Sequence, residues 1–124
     1  MARMARKRAP RRVLPSFDLG SFLASANVAN RTARYRRTER IFAQGDPADD
    51  VFYLEQGSVK MSVLSRAGKE AVVAILAAGD FFGEGCLAGQ PRRMATASAL
   101  SASRVIVLEK GEMQRLLHLH PRLA

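Results

Sequence analysis

Glu84 and the adjacent Arg92 and Arg93 lie in a stretch, Gly79 to Ala97, whose residue types and spacing could bind a ligand. Gly83, Gly85 and Gly89 accompany them. A carboxylate only accepts hydrogen bonds, so it can hold hydroxyl donors such as those of a ribose. A guanidinium offers paired donors that match phosphate oxygens. Glycine lets the backbone approach a ligand closely and aim amide N–H groups at an anion. The combination suits a sugar-phosphate, although the same residues would also make a surface hairpin turn with an incidental ion pair. Strand alternation sends neighbouring side chains to opposite faces, and the spacing favours Arg93 over Arg92 as the inward one.

Chemistry other than binding finds little support. The histidines are His118 and His120, at or beyond the end of a C-terminal helix. Two residues spaced i, i+2 on a helix point about 200° apart, and a metal site needs three or four converging ligands. No metal site is expected. No Ser or Cys has a neighbouring histidine in a nucleophile–base arrangement, and no motif pairs Glu84 with a second titratable group. No catalytic residue is assigned, and the chain is not expected to be an enzyme. Cys86, the single cysteine, reads as a small half-buried loop side chain. One thiol cannot close an internal disulfide, which points to a reducing, cytoplasmic compartment.

The 124 residues are enough for one domain with a modest core. Hydrophobic residues make up 48% of the chain, and no apolar run approaches the ~18 residues of a membrane span, so a globular protein with no membrane partner is expected. The net charge of +9 is concentrated at the front: residues 1–40 hold 11 Lys+Arg and 2 Asp+Glu, and the remainder holds 9 of each. Met1 to Arg12 carries six bases (Arg3, Arg6, Lys7, Arg8, Arg11, Arg12) and no acid. So charged a stretch cannot build a core, and residues 1–14 read as a disordered basic arm. Residues 1–12 could contact nucleic acid non-specifically through counterion release, lie on an anionic membrane, or act as a transit peptide. A solvated tail is the simplest reading, with Met4 as a second start. No apolar segment of a secretory signal follows the arm.

A short helix is expected over Leu19 to Ala26, and a polar strand over Arg31 to Arg37. Arg40 to Gln44 leads into the turn Gly45-Asp46-Pro47. Val51 to Glu55 and Ser58 to Leu64 read as strands around a turn at Gln56-Gly57. In the second, Val59, Met61 and Val63 share one face, and Ser58, Lys60 and Ser62 the other. A hairpin turn at Arg66 to Lys69 precedes an apolar strand, Glu70 to Leu76. After the loop come strands over Met94 to Leu100 and Arg104 to Glu109, then a helix over Lys110 to His118 with Met113, Leu116 and Leu117 at helical spacing. Seven or eight short strands with Gly-marked turns and helices only at the two ends predict a mainly β fold, a small sandwich or barrel.

From about Phe17 to Ala124 the chain resembles the sensor half of Crp/Fnr-type bacterial transcription regulators, whose fold is the cyclic nucleotide-binding jelly-roll, or β-roll. Ile41 to Asp49 resembles the family's first hairpin turn, and Val51 to Lys60 its pair of strands meeting at a glycine. Gly68-Lys69-Glu70 followed by Gly79-Asp80-Phe81-Phe82-Gly83-Glu84 resembles the entry to the phosphate-binding cassette. The resemblance implies a β-roll over residues 15–110 and the start of a C-terminal helical region over 111–124. It implies cAMP or cGMP as the ligand, with Glu84 on the ribose 2′-hydroxyl and Arg93 on the cyclic phosphate. Gly83, Gly85 and Cys86 would belong to the segment whose backbone amides face the ligand.

Met94 departs from this pattern, standing where cyclic-nucleotide binders usually offer a Ser or Thr hydroxyl to the phosphate. In the family a long dimer helix and a helix-turn-helix follow the roll, whereas this sequence stops at Ala124. No recognition helix is expected within it, and a homodimer would form by the family's route only if that helix were supplied. Two functions are weighed: an effector-sensing domain of a Crp/Fnr-type regulator without its own DNA-binding domain, and a non-sensing scaffold or remnant whose basic arm contacts nucleic acid or a protein partner.

Overall fold

The computed structural model describes residues 19–119 and 121. The basic arm, residues 15–18, His120 and residues 122–124 lie outside the described residues. A short helix α1 (Leu19–Ser25) leads into eight strands: β1 (Arg31–Tyr35), β2 (Arg40–Phe42), β3 (Asp50–Gln56), β4 (Ser58–Leu64), β5 (Glu70–Ala77), β6 (Phe81–Phe82), β7 (Thr96–Ala99) and β8 (Ser103–Glu109). Helix α2 (Lys110–Leu119) follows, and a 3-10 turn over Glu84–Ala88 lies between β6 and β7.

The strands form two antiparallel four-stranded sheets, ordered β1-β8-β3-β6 and β2-β7-β4-β5. This is the expected mainly β roll. Strand β8 explains the layering. Its run Val105 to Leu108 is buried at every residue, as a strand covered on both faces must be. Val105 and Val107 pack between the sheets with Phe42, Phe52, Leu54, Val59 and Phe82. Ile106 and Leu108 pack on the opposite face with Val51, Leu19, Leu23, Met113 and Leu116. The two helices, far apart in sequence, therefore share one core on the outer face of the first sheet. Glu112 ties α2 to the segment after α1, accepting from the Ala29 amide at 3.2 Å and from Arg115 at 3.0 Å, while Arg115 also donates to the Asn27 carbonyl at 3.0 Å.

Three expectations need adjustment. The strand read as Met94 to Leu100 begins only at Thr96, because residues 91–93 are tied instead to the turn after β2. The glycine-rich loop contains a two-residue strand and a 3-10 turn not foreseen from the sequence. In β4 the simple alternation fails: Val59 is buried, Val63 is half-buried, and Ser62 is buried too, its hydroxyl bonded to the Glu70 carboxylate. Opposite it, the β4–β5 ladder slips by one residue between Met61 and Ser62, leaving Val73 as an extra residue in β5. That strand is a sheet edge, and Val72, Val73 and Ile75 are exposed on it.

Gly57 turns the chain between β3 and β4 with φ 98° and lies against Ser103 and the Ala102 carbonyl, where a Cβ would overlap both. Gly57→Ala combines a left-handed alanine with overpacking and should lower stability by roughly 2–5 kcal/mol in urea unfolding. A pH dependence follows from two carboxylates. Glu112 is held below its ordinary pKa of 4.5 by Arg115 and the Ala29 amide, and Glu70 by Ser62 and Lys60. Depressed folded-state values stabilise fully above the ordinary pKa, and that stability is lost as pH falls through the folded values. The urea midpoint should drop on acidification in this window, less steeply in Glu112→Gln.

Candidate functional site

Arg93 is placed by backbone pairing. Its N–H donates to the Asp46 carbonyl and its own carbonyl accepts from Gly45, both at 2.8 Å, while Ala48 donates to the Pro91 carbonyl at 2.9 Å. The turn Gly45-Asp46-Pro47 thus fixes Arg93, with Asp46 Oδ2 accepting from the Ala43 amide at 3.0 Å to hold the turn itself. Arg92 points away, exposed, and donates to the Gly45 carbonyl at 3.2 Å. Arg93 points inward and is 7% exposed, the expected order of the two, although residues 91–93 are set by the turn and lie outside β7.

Inside, Arg93 donates through Nη1 to the Gly83 carbonyl and through Nη2 to the Asp50 carbonyl, both at 2.9 Å. Its guanidinium carbon lies 4.3 Å from the Phe42 ring centroid and 5.4 Å from that of Phe52. Among the described residues it forms no ion pair, and its Nε is buried with no hydrogen-bond partner. Carbonyl dipoles and an aromatic face compensate a buried cation only in part. The group is therefore poised for an anion.

The 3-10 turn faces this arginine. Gly83 precedes it with φ 75°, and Gly89 closes it with φ 88°, both left-handed. A Cβ on Gly83 would sit 2.9 Å from Arg93 Nη1 and 3.0 Å from Phe52, so glycine is required there on grounds of conformation and of space. A Cβ on Gly85 would overlap the Gln90 side chain. The start of such a turn leaves amides without intrahelical partners. Glu84 is exposed at its first position.

A cleft of about 140 Å³ gathers Gly83, Glu84, Gly85, Cys86, Arg93 and Met94, all six of the sequence-assigned positions. Their side chains are not equivalent. Met94 is 65% exposed at the rim. Cys86 is buried at 1% exposure rather than half-buried, with Sγ 3.5 Å from the Gly83 carbonyl and 3.7 Å from that of Asp50. Burial raises its pKa, so the thiol is protonated and serves packing. Sequence reasoning missed Phe42, Asp50, Met61 and Gln90. Asp50 contributes a main-chain carbonyl, which no residue type reveals, and Phe42 appeared only as an apolar residue ahead of a turn. No group of three or more His, Cys, Asp or Glu side chains suited to a metal occurs among the described residues.

A β-roll that sets a buried arginine behind a glycine-rich 3-10 turn defines a small-ligand-binding domain. The chain belongs to the cyclic nucleotide-binding domain family, whose model matches residues 32–120. It is 29% identical over 110 residues to the cAMP-activated global transcriptional regulator CRP of Pasteurella multocida, covering 86% of this chain and 51% of that protein. It is 33% identical over 104 residues to the global nitrogen regulator of Synechococcus elongatus, covering 82% of this chain and 47% of that one. The Thermus thermophilus catabolite activator protein superposes with a TM-score of 0.71 at 27% identity, over 82% of this chain and 46% of the other. The chain thus spans about half the length of these relatives and resembles the sensor domains of Crp/Fnr-type regulators. No helix among the described residues is long and apolar enough to cross a membrane.

Gly83→Ala should displace the Arg93 guanidinium and cost roughly 2–4 kcal/mol from left-handed strain and crowding against Phe52. Urea unfolding gives the stability loss, and a crystal structure of the variant should show Arg93 moved off the Gly83 carbonyl.

Proposed function

We propose that this domain binds a cyclic nucleotide, cAMP or cGMP, and is the effector-sensing part of a Crp/Fnr-type regulator working in the cytoplasm. The observation that carries the reading is Arg93, a buried cation without an acidic partner among the described residues, facing the turn that bears Glu84. The cyclic phosphate would take donors from Arg93 and from backbone amides of the turn at Gly83, Gly85 and Cys86. Glu84, exposed at the cleft, would accept from the ribose 2′-hydroxyl. Phosphate oxygens then compete with the Gly83 and Asp50 carbonyls for the guanidinium, exchanging neutral acceptors for a charged one. The role is binding, with no bond made or broken. The cAMP-activated relative supports the nucleotide; Met94 sets this chain apart by leaving the phosphate without a hydroxyl donor at that position.

Calorimetry with cAMP and cGMP tests the reading. One of them should bind, Arg93→Ala should abolish the signal, and Glu84→Gln, at an exposed position that leaves folding intact, should weaken it. Met94→Thr adds one hydrogen bond, about 0.5–1.5 kcal/mol, and should tighten binding roughly 2- to 12-fold. Absence of heat with both nucleotides in the folded wild type, or binding unaffected by Glu84→Gln and Arg93→Ala alike, would reject the assignment.

A further inference from the structure

The positive charge of the described part of the chain is confined to one segment. Residues 31–40 hold five arginines and one acid, whereas the other described residues hold 8 Lys+Arg and 9 Asp+Glu. Arg31 lines a hollow together with Asp50 and Glu109, which offset it. Arg34, Arg36, Arg37 and Arg40 are exposed. No side-chain hydrogen bond or ion pair joins these four to any described residue.

The segment is held in a fixed shape. The turn after β1 closes with the Glu39 N–H donating to the Arg36 carbonyl at 2.9 Å, and the Arg36 N–H donating to Glu39 Oε1 at 2.7 Å. The one acid of the segment is therefore committed to the turn backbone. Thr38, at φ 74°, donates to the Ala99 carbonyl, and Ala99 donates to that of Glu39, both at 2.8 Å. Left-handed backbone at a β-branched residue persists only where the surroundings impose it.

Beside the turn, Arg34 stands directly across from Arg104 in the β1–β8 ladder. Like charges opposite one another are unfavourable, and Glu55, 3.0 Å from Arg104 Nε, is the acid that relieves the pair. Arg34, Arg36 and Arg104, with Tyr35, Gln56 and Ser103, line a hollow of about 460 Å³, together with Glu39, the carboxylate that accepts from the Arg36 amide. Strand β3 runs from Asp50, which holds Arg93, to Gln56 at this hollow, so the two sites are about 20 Å apart.

The chemistry of the surface selects its partner. Protein-binding patches centre on apolar side chains. Here the exposed Leu64, Val72, Val73 and Ile75 belong to β4 and β5, in the other sheet, and none lines the hollow. What β1 and its turn present is a row of guanidinium forks, matched to phosphate oxygens. The six bases of residues 1–12 precede it in the same chain.

We propose that β1, the turn carrying Arg36 and Arg37, and the adjoining hollow dock the phosphodiester backbone of nucleic acid without reading its sequence. This site is independent of the nucleotide cleft. The test is fluorescence anisotropy of the full chain with a labelled mixed-sequence duplex across a salt series, for wild type, Arg34→Ala/Arg36→Ala/Arg37→Ala, and a deletion of residues 1–12. Each phosphate contact contributes about 0.9 to the slope of log K against log salt. The triple variant should lose about 2–3 from that slope, and the deletion should retain the arginine-dependent part. Urea midpoints confirm that the variants are folded, and Arg37→Glu alone should weaken binding measurably. A slope unchanged in the triple variant, no binding by wild type at low salt, or displacement of the duplex by polyglutamate at matched charge would overturn the proposal, the last assigning the surface to an acidic protein. Calorimetry with cyclic nucleotide should be unaffected by the triple variant, so this outcome is separable from that of the cleft.

Discussion

The candidate site depends on a cation buried with no acid among the described residues to neutralise it. Arg93 is held by two main-chain carbonyls and the face of Phe42. Each partner comes from a different element: Gly83 from the residue leading into the 3-10 turn, Asp50 from the start of β3, Phe42 from β2. A carboxylate in place of either carbonyl would satisfy the charge within the fold and leave less of it for an incoming anion. Compensation that is partial and neutral keeps the guanidinium ordered while leaving its charge available. The glycine at position 83 follows from the same constraint, since the turn must approach the arginine more closely than a side chain allows.

That arrangement requires a rigid frame, which β8 supplies. Being covered on both faces, it joins the inter-sheet core to the core beneath α1 and α2. The helices contribute Leu19, Leu23, Met113 and Leu116 to the same cluster as Cys86 of the 3-10 turn. The back of the 3-10 turn is thus part of the helix-supporting core, and Cys86 belongs both to that core and to the lining of the cleft. The Lys110 amide at the start of α2 donates to the Asp49 carbonyl at 2.9 Å, one peptide unit from the carbonyl that holds Arg93.

Much of this was legible in the sequence where a residue type has a single use. Gly45-Asp46-Pro47 reads as a turn, and it is the turn that fixes Arg93. Met113, Leu116 and Leu117 read as the apolar face of a helix, and Met113 and Leu116 are buried while Leu117 is half-buried. The order of the two arginines is the one expected, although the pairing with the Gly45-Asp46-Pro47 turn sets it and not a strand. Legibility fails where the main chain does the work, as with the Asp50 carbonyl, or where a neighbour in space changes a pattern. Ser62 looks like a solvent-facing residue, but it lies beside the register slip against β5 and bonds to Glu70, and β6 is too short to show a period. The basic segment 31–40 counted only as part of a charged front end; separating it from the arm needed the fold that places Arg34 beside Arg104.

The slipped register between β4 and β5 bears on how the molecule tolerates its own surface. An outer strand with Val72, Val73 and Ile75 exposed would ordinarily invite another chain to extend the sheet. The extra residue at Val73 breaks the even spacing of outward amides and carbonyls and increases the local twist. An incoming strand would find matched donors and acceptors over only part of its length on either side of the irregularity. The defect in pairing therefore works as a guard against stacking, letting an oily margin stay uncovered without becoming a template for fibres.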